Sequence, residues 1–376
     1  MTDKIWLSSP HMGGGERKYV NEAFRTNWIA PLGPNVDSFE QDIQSFTGAC
    51  HCAVLSSGTA ALHLALILAN VLPGDYVICQ SMTFSASANP IAYLGAKPVF
   101  IDSETDTWNM DPEMLKTAIL ELAKKHIKPK AIIPVHLYGM PAKLDQIINI
   151  GEKYNIPIIE DAAESLGSNY KSKATGTFGK MGILSFNGNK IITTSGGGAL
   201  VSDNPTLIEK ARFLATQARD DAPHYEHSHI GYNYRMSNIL AGIGRGQMEV
   251  LPDRVKKRRA INQWYRSFLQ DIDGVKFQSE PDSDYFSNYW LTAIIIDSLK
   301  TGVTREQLRL NLLQDNIESR PLWKPMHLQP VFKHAPYYGE GVSDELFENG
   351  LCLPSGSNLT DGDKERIKES VLEAFE

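Results

Sequence analysis

Three short segments carry side chains whose types and spacing suit one kind of chemistry. Ser57-Gly58-Thr59 stands just before a long apolar run. A helix starting there offers unpaired N–H groups and partial positive charge, glycine lets a phosphate approach the backbone, and the hydroxyls add donors. Helix capping by serine or threonine fits the same residues. A nucleotide P-loop does not, because no Gly-Lys-Ser/Thr follows at the required spacing. Asp161 closes the apolar run Ile156-Pro157-Ile158-Ile159 and precedes Ala162-Ala163. A carboxylate at that depth needs a partner: a protonated ring nitrogen, a helix cap or an ion pair. Lys190 follows the turn signal Asn187-Gly188 and precedes Ser195-Gly196-Gly197-Gly198. Most lysines are solvated charges. This one sits among small residues that leave room for a planar ring, or else form a flexible hairpin.

Taken together, a phosphate cradle, a strand-end acid and a lysine on a later turn are the three anchors that pyridoxal 5'-phosphate requires. The acid keeps the ring nitrogen protonated, so the ring acts as an electron sink. The lysine forms the imine and moves the proton.

Elements must bring these residues together. Val36, Phe39, Ile43 and Phe46 recur at helical spacing until Gly48. Residues 53–55 read as a buried strand, 60–72 as an apolar helix ended by Pro73-Gly74, and 76–79, 98–101, 131–135, 156–159 and 183–186 as further strands. Helical stretches at 85–93, 112–125 and 142–154 separate most of them. Such alternation predicts an α/β fold with a mostly parallel central sheet flanked by helices. Ligands in such sheets bind beyond the carboxyl ends of the strands. Ser57-Gly58-Thr59, residues 81–84, 136–138 and Asp161 all follow strand ends, so they can converge on one crevice. After Glu249 the rhythm changes to a charged helix (252–269), a strand (289–296) and a helix (304–316). This predicts a large α/β domain over residues 1–249 and a smaller C-terminal α+β domain over 250–376.

Composition narrows the function classes. The 376 residues are 42% hydrophobic and 22% charged, with a formal net charge of -7, which disfavours nucleic acid and anionic membranes as partners. No apolar run approaches a membrane span, and residues 1–20 lack a signal-peptide core, so a cytoplasmic location is expected. No metal site is expected. Cys50-His51-Cys52 would point its ligands to opposite faces of a strand, and His224, His227 and His229 fit no standard helix pair. The basic run 254–259 reads as a solvated helix surface.

The residues also resemble the DegT/DnrJ/EryC1/StrS sugar aminotransferases, of the aspartate-aminotransferase-like fold type I. The likeness is carried in order by Ser57-Gly58-Thr59-Ala60-Ala61-Leu62, Thr83-Phe84, Glu160-Asp161-Ala162-Ala163-Glu164, Ser185-Phe186 with Lys190, Gly231-Tyr232-Asn233-Tyr234-Arg235-Met236 and Leu353-Pro354-Ser355-Gly356. It implies Lys190 as the Schiff-base lysine, Asp161 on the pyridine nitrogen and Phe84 stacked on the ring. It implies Gly58, Thr59 and Ser185 on the phosphate, with Ser57 in the same cradle. Glu164 stands where the family often has glutamine or histidine near the ring hydroxyl. Asn233 resembles an asparagine that reaches the phosphate from the other subunit, which implies a homodimer with shared active sites. Related sugar dehydrases carry histidine in place of the lysine, so Lys190 favours amino transfer.

The segment from Thr216-Gln217-Ala218-Arg219 through His224-Tyr225-Glu226-His227 to Asn233 most resembles the 4-aminotransferases of the bacillosamine pathway. The implied substrates are L-glutamate and UDP-2-acetamido-4-keto-2,4,6-trideoxyglucose, with another nucleotide keto sugar as the alternative. Lys324 and His327 are candidates for substrate-side contacts, or members of a packing loop. Two other classes stay open. A nicotinamide oxidoreductase would need Gly-x-Gly-x-x-Gly after the first strand, and Ser56-Ser57-Gly58-Thr59 is not that. A non-catalytic cofactor-binding regulator would not need the full set of Lys190, Asp161 and the phosphate residues.

Overall fold

The structure is a computed structural model and describes residues 3–376. Eight strands run through its centre. Their spatial order is Tyr337–Tyr338, Lys97–Ile101, Tyr76–Gln80, Ile132–Ile133, Ile159–Asp161, Met181–Ser185, Gly198–Ser202 and His51–Leu55. They form two four-stranded sheets that meet through the parallel bridges Ile132–Ile158 and Val135–Asp161. Gly198–Ser202 alone is antiparallel to its neighbours in this array. The mostly parallel sheet read from the sequence is therefore present.

Both faces of the sheet are covered, which is why its strands are apolar without alternation. Val77 and Cys79 enter a core with Leu62 and Leu66 of the helix Gly58–Leu68 and with Leu214 of the helix Pro205–Ala215. Ile78, between them, points to the opposite core with Leu115 and Ile147, from the helices Pro112–Lys124 and Leu144–Tyr154. On that same side of the chain's first strand, Val54 packs with Phe39 and Ile43 of the helix Pro34–Thr47, which Gly48 ends at φ 77°.

The last third builds another core. Strands Val275–Phe277, Thr292–Ile296, Gly350–Leu353 and Arg320–Pro321 pair antiparallel in that order. The helices Leu251–Leu269, Arg305–Gln314 and Asp361–Glu373 contribute Tyr265, Leu308 and Ile367 to it. We propose the division after residue 249 as the line between the two bodies, with two segments crossing it. Ile5 packs in the C-terminal core and bridges to Ile317. Tyr337–Tyr338 joins the edge of the central sheet.

Several expectations shift. The helix read as 60–72 spans Gly58–Leu68, and Asn70 turns the chain at φ 57° before Pro73 is reached. The stretch 85–93 breaks into a 3-10 turn and the helix Asn89–Tyr93. The basic run is not a uniformly solvated face: Arg254 and Arg258 are buried. They stand four apart on the helix, beside Leu251 and Val255, and so share its inner face. Arg254 donates to the carbonyls of His11 and Met12, and Arg258 to that of Trp290. Burial pushes the Arg258 guanidinium down to about 9. Among the described residues, no helix is long and apolar enough to cross a membrane.

Candidate active site

A cavity of about 290 Å³ opens beyond the carboxyl ends of the parallel strands, at the small end of ligand pockets. Eight of the residues singled out in the sequence line it: Ser57, Gly58, Thr59, Phe84, Asp161, Glu164, Ser185 and Lys190.

One end is made of main chain and short side chains. Ser57 caps the helix Gly58–Leu68 by accepting the N–H of Ala60 at 3.0 Å, so its hydroxyl serves the helix as well as facing the cavity. Gly58 packs closely: a Cβ there would lie 3.2 Å from Ser185 Cβ. A Cβ on Gly198 would collide with the backbone of Ser57 at 2.4 Å. The helix amino terminus is thus pressed onto the strand ends, with its partial positive charge at the cavity wall.

Asp161 ends its strand and is buried. Ser87 donates to its Oδ2 at 2.6 Å, and the N–H of Ala163 to its Oδ1 at 3.2 Å. Thr83 holds Ser87 at 2.6 Å. Among the described residues, no basic side chain pairs with Asp161. The neighbouring acid, Glu160, is different. It accepts from the N–H groups of Gly176, Phe178 and Gly179 and lies 3.0 Å from His136 Nε2. The N–H of Ala142 donates to His136 Nδ1, so the ring proton sits on Nε2 and points at Glu160. Glu160 is saturated and structural, whereas Asp161 has capacity left for a ligand.

Lys190 lies on the turn after Asn187, whose carbonyl accepts its N–H at 3.0 Å. The turn belongs to the loop between the antiparallel strands Met181–Ser185 and Gly198–Ser202, so the glycine run does close a hairpin. The amine Nζ sits 3.4 Å from Glu164 Oε1 and 4.1 Å from the centre of the Trp290 ring. Glu164 Oε2 accepts the N–H of Tyr138 at 2.8 Å. Burial raises the Glu164 carboxyl above its ordinary 4.5, against the opposing pull of Lys190 and of that N–H.

Phe84 is 53% exposed and tilts against Trp323, ring centres 5.5 Å apart. Trp323 also lines the cavity, and its N–H donates to Tyr138 Oη at 2.8 Å. Trp290 and Trp323 carry no local sequence signal, and neither was anticipated. Lys324 and His327 do not line this cavity. Lys324 is exposed beside Asp344 and Glu348. His327 is occupied by Ser81 at 2.7 Å, Asp344 at 2.9 Å and the face of Tyr337. Asn233 is also outside this cavity, exposed in a short bridge with Thr216. His227 and His229 bond to Gln217 and Ser228 on the exposed loop.

The profile of the DegT/DnrJ/EryC1/StrS aminotransferase family matches residues 10–372. The chain is 54% identical over 379 residues to a Bacillus subtilis (strain 168) protein provisionally named pyridoxal phosphate-dependent aminotransferase EpsN, covering 100% of this chain and 97% of that one. It is 36% identical over 371 residues to GDP-perosamine synthase of Escherichia coli O157:H7, covering 99% and 98% of the two chains. Its fold superposes on the PLP form of a provisionally named sugar aminotransferase, Spr1654 from Streptococcus pneumoniae, with a TM-score of 0.90 at 27% identity over 99% of each chain. The chain belongs to the DegT/DnrJ/EryC1/StrS aminotransferase family and is a pyridoxal phosphate-dependent sugar aminotransferase of the aspartate-aminotransferase-like fold type I.

Proposed function

We propose that the protein moves the amino group of L-glutamate to C4 of a nucleotide-linked 4-keto-6-deoxy sugar, with UDP-2-acetamido-4-keto-2,4,6-trideoxyglucose as the preferred acceptor, and that it works in the cytoplasm. The observation that carries the reading is that a lysine amine, an acid without a basic partner and a helix amino terminus line one cavity.

The residues present fit the cofactor. Gly58 and Ser185 make a tight main-chain wall beside Ser57 and Thr59, suited to a phosphate. Asp161 has capacity for a protonated ring nitrogen, and Phe84 has an uncovered face for a planar ring. Glu164, raised toward its neutral form, can donate to a ring oxygen as glutamine would. When bound, the cofactor supplies an electron sink for the carbon that loses or gains a proton. Lys190 Nζ takes the proton from the α-carbon of glutamate and later delivers one to C4 of the sugar. Asp161 holds the proton on the ring nitrogen. Trp323 and Phe84 exclude water from one side. The exposed Asn233 reaches the phosphate of a second copy, so a homodimer is the working unit.

Incubation of holoenzyme with glutamate and a panel of UDP-, GDP- and dTDP-linked keto sugars tests the substrate. Amination of the UDP sugar is expected. A GDP-linked acceptor is the second reading, favoured by the likeness to GDP-perosamine synthase, and activity on GDP sugars alone would replace the first. Borohydride reduction should leave the cofactor mass on the Lys190 peptide. A Lys190→Ala protein that still carried the cofactor covalently would sink the assignment. A protein that bound cofactor but aminated no sugar would point to the regulator.

A further inference from the structure

Trp290 comes from the C-terminal part of the chain, yet it lies beside Lys190 and is 1% exposed. Its ring faces the amine at 4.1 Å. Its indole N–H donates to the carbonyl of Asn189, the residue before Lys190, at 2.7 Å. That carbonyl also accepts Ser8 Oγ at 2.6 Å. Arg258 joins the two, donating to the Trp290 carbonyl and to Ser8 Oγ, each at 2.8 Å. Arg258 is fully buried, and among the described residues no carboxylate pairs with it. An unpaired buried cation is costly, so its two short bonds fix Trp290 and Ser8 firmly. The other side is tied as well. Asn288 Oδ1 accepts the Trp290 N–H at 2.8 Å, and Asn288 Nδ2 donates to the carbonyl of Glu164 at 3.0 Å. One segment, 288–290, therefore grips both the lysine turn and the acid opposite the amine.

We propose that Trp290 is a positioning residue for Lys190: its ring face receives the ε-amine whenever the amine is not bonded to the cofactor, and Arg258, Ser8 and Asn288 hold the ring there. A cation over an indole face is attracted by the ring quadrupole. An amine parked in that way stays within reach of the reacting carbon and does not swing into solvent. The proposal rests on Lys190 being the reacting amine.

The test uses apoenzyme reconstitution. Pyridoxal phosphate forms a visible covalent band with the lysine, whereas pyridoxamine phosphate has no aldehyde and reports the rest of the site alone. Trp290→Leu should slow band formation about tenfold, while pyridoxamine phosphate affinity stays within about twofold of wild type. Trp290→Phe keeps a ring face and should recover the rate to within about threefold. Ser8→Ala, which leaves the Trp290 ring itself in place, should slow the band about threefold and serves where a Trp290 variant fails to fold. In steady state, kcat should fall with KM for the sugar little changed. The proposal is overturned if Trp290→Leu or Ser8→Ala forms the band at the wild-type rate. It is equally overturned if Trp290→Phe is as slow as Trp290→Leu, or if affinity falls in step with rate. Borohydride trapping on wild type separates the levels. An adduct away from Lys190 would sink the functional reading itself, and an adduct on Lys190 with unaltered variant rates would sink only this proposal.

Discussion

At one end of the cavity Gly58, Ser185 and a helix amino terminus meet through main-chain contacts inside the central sheet. At the other, Lys190 meets Glu164 and Trp290, long side chains from segments far apart in the chain. The first end has little rotamer freedom, being built of main chain and short side chains. The second depends on several side chains keeping one arrangement, so its geometry can be changed by residues that never touch a ligand.

Substitutions can separate the two ends. The largest effect is expected at Lys190→Ala: turnover falls at least about a thousandfold, the covalent band disappears, and pyridoxamine phosphate still binds because the strand end is untouched. Absorbance and equilibrium dialysis check both. Asp161→Ala should lower turnover by roughly a hundredfold with Lys190 still trapped by borohydride. Gly58→Val is the reverse of the lysine variant. Its side chain must enter the space at Ser185 Cβ, so affinity for both cofactor forms should drop together by about tenfold, measured by titration of apoenzyme.

Two buried acids act on stability instead of turnover, with opposite pH signs. Asp102 accepts the N–H groups of Glu340, Gly341, Val342 and Ser343. Burial alone would raise its carboxyl, but the bonds from Ser343 and its neighbours hold it below its ordinary 3.8. It therefore contributes stability above that value that is lost as pH falls through the depressed one. Asp102→Ala should cost about 2–3 kcal/mol at neutral pH, and the difference should vanish in acid. Glu164, raised above 4.5 by burial, works the other way: its contribution falls as pH rises from 4.5 through the raised value. Glu164→Gln should flatten that loss. Urea unfolding of apoenzyme across pH 3–8 is the measurement for both, with the range chosen to span these carboxyl values on either side.

The contrast between the ends also explains what was legible. Ser57-Gly58-Thr59, Asp161 and Lys190 announce themselves locally, through a cap, a strand end and a turn. The alternation of strands and helices then supplies their meeting point. Trp290 and Trp323 join the site through tertiary packing, and nothing in their neighbours' spacing foretells it. Charge and hydrogen-bonding capacity point to Lys324 and His327 in that segment, while it is Trp323 that lines the cavity. Arg254 and Arg258 were readable in principle, since their spacing follows Leu251 and Val255 around the helix; the charge run masked it.

The amino-terminal segment imposes an order on folding. Leu7, Ser8 and Ile5 bond to Glu318, Arg258 and Asn316, with separations of 311 residues for the first pair and 250 for the second. Ser8 also reaches across 181 residues to the lysine turn. A chain emerging from the ribosome can pair the strands up to Ser202 before these partners exist. Residues 5–8 must wait for partners 250 to 311 residues further on, and contacts of such span are slow to form. The lysine turn, tied by the same Ser8, is therefore expected to harden later than the strands that flank it.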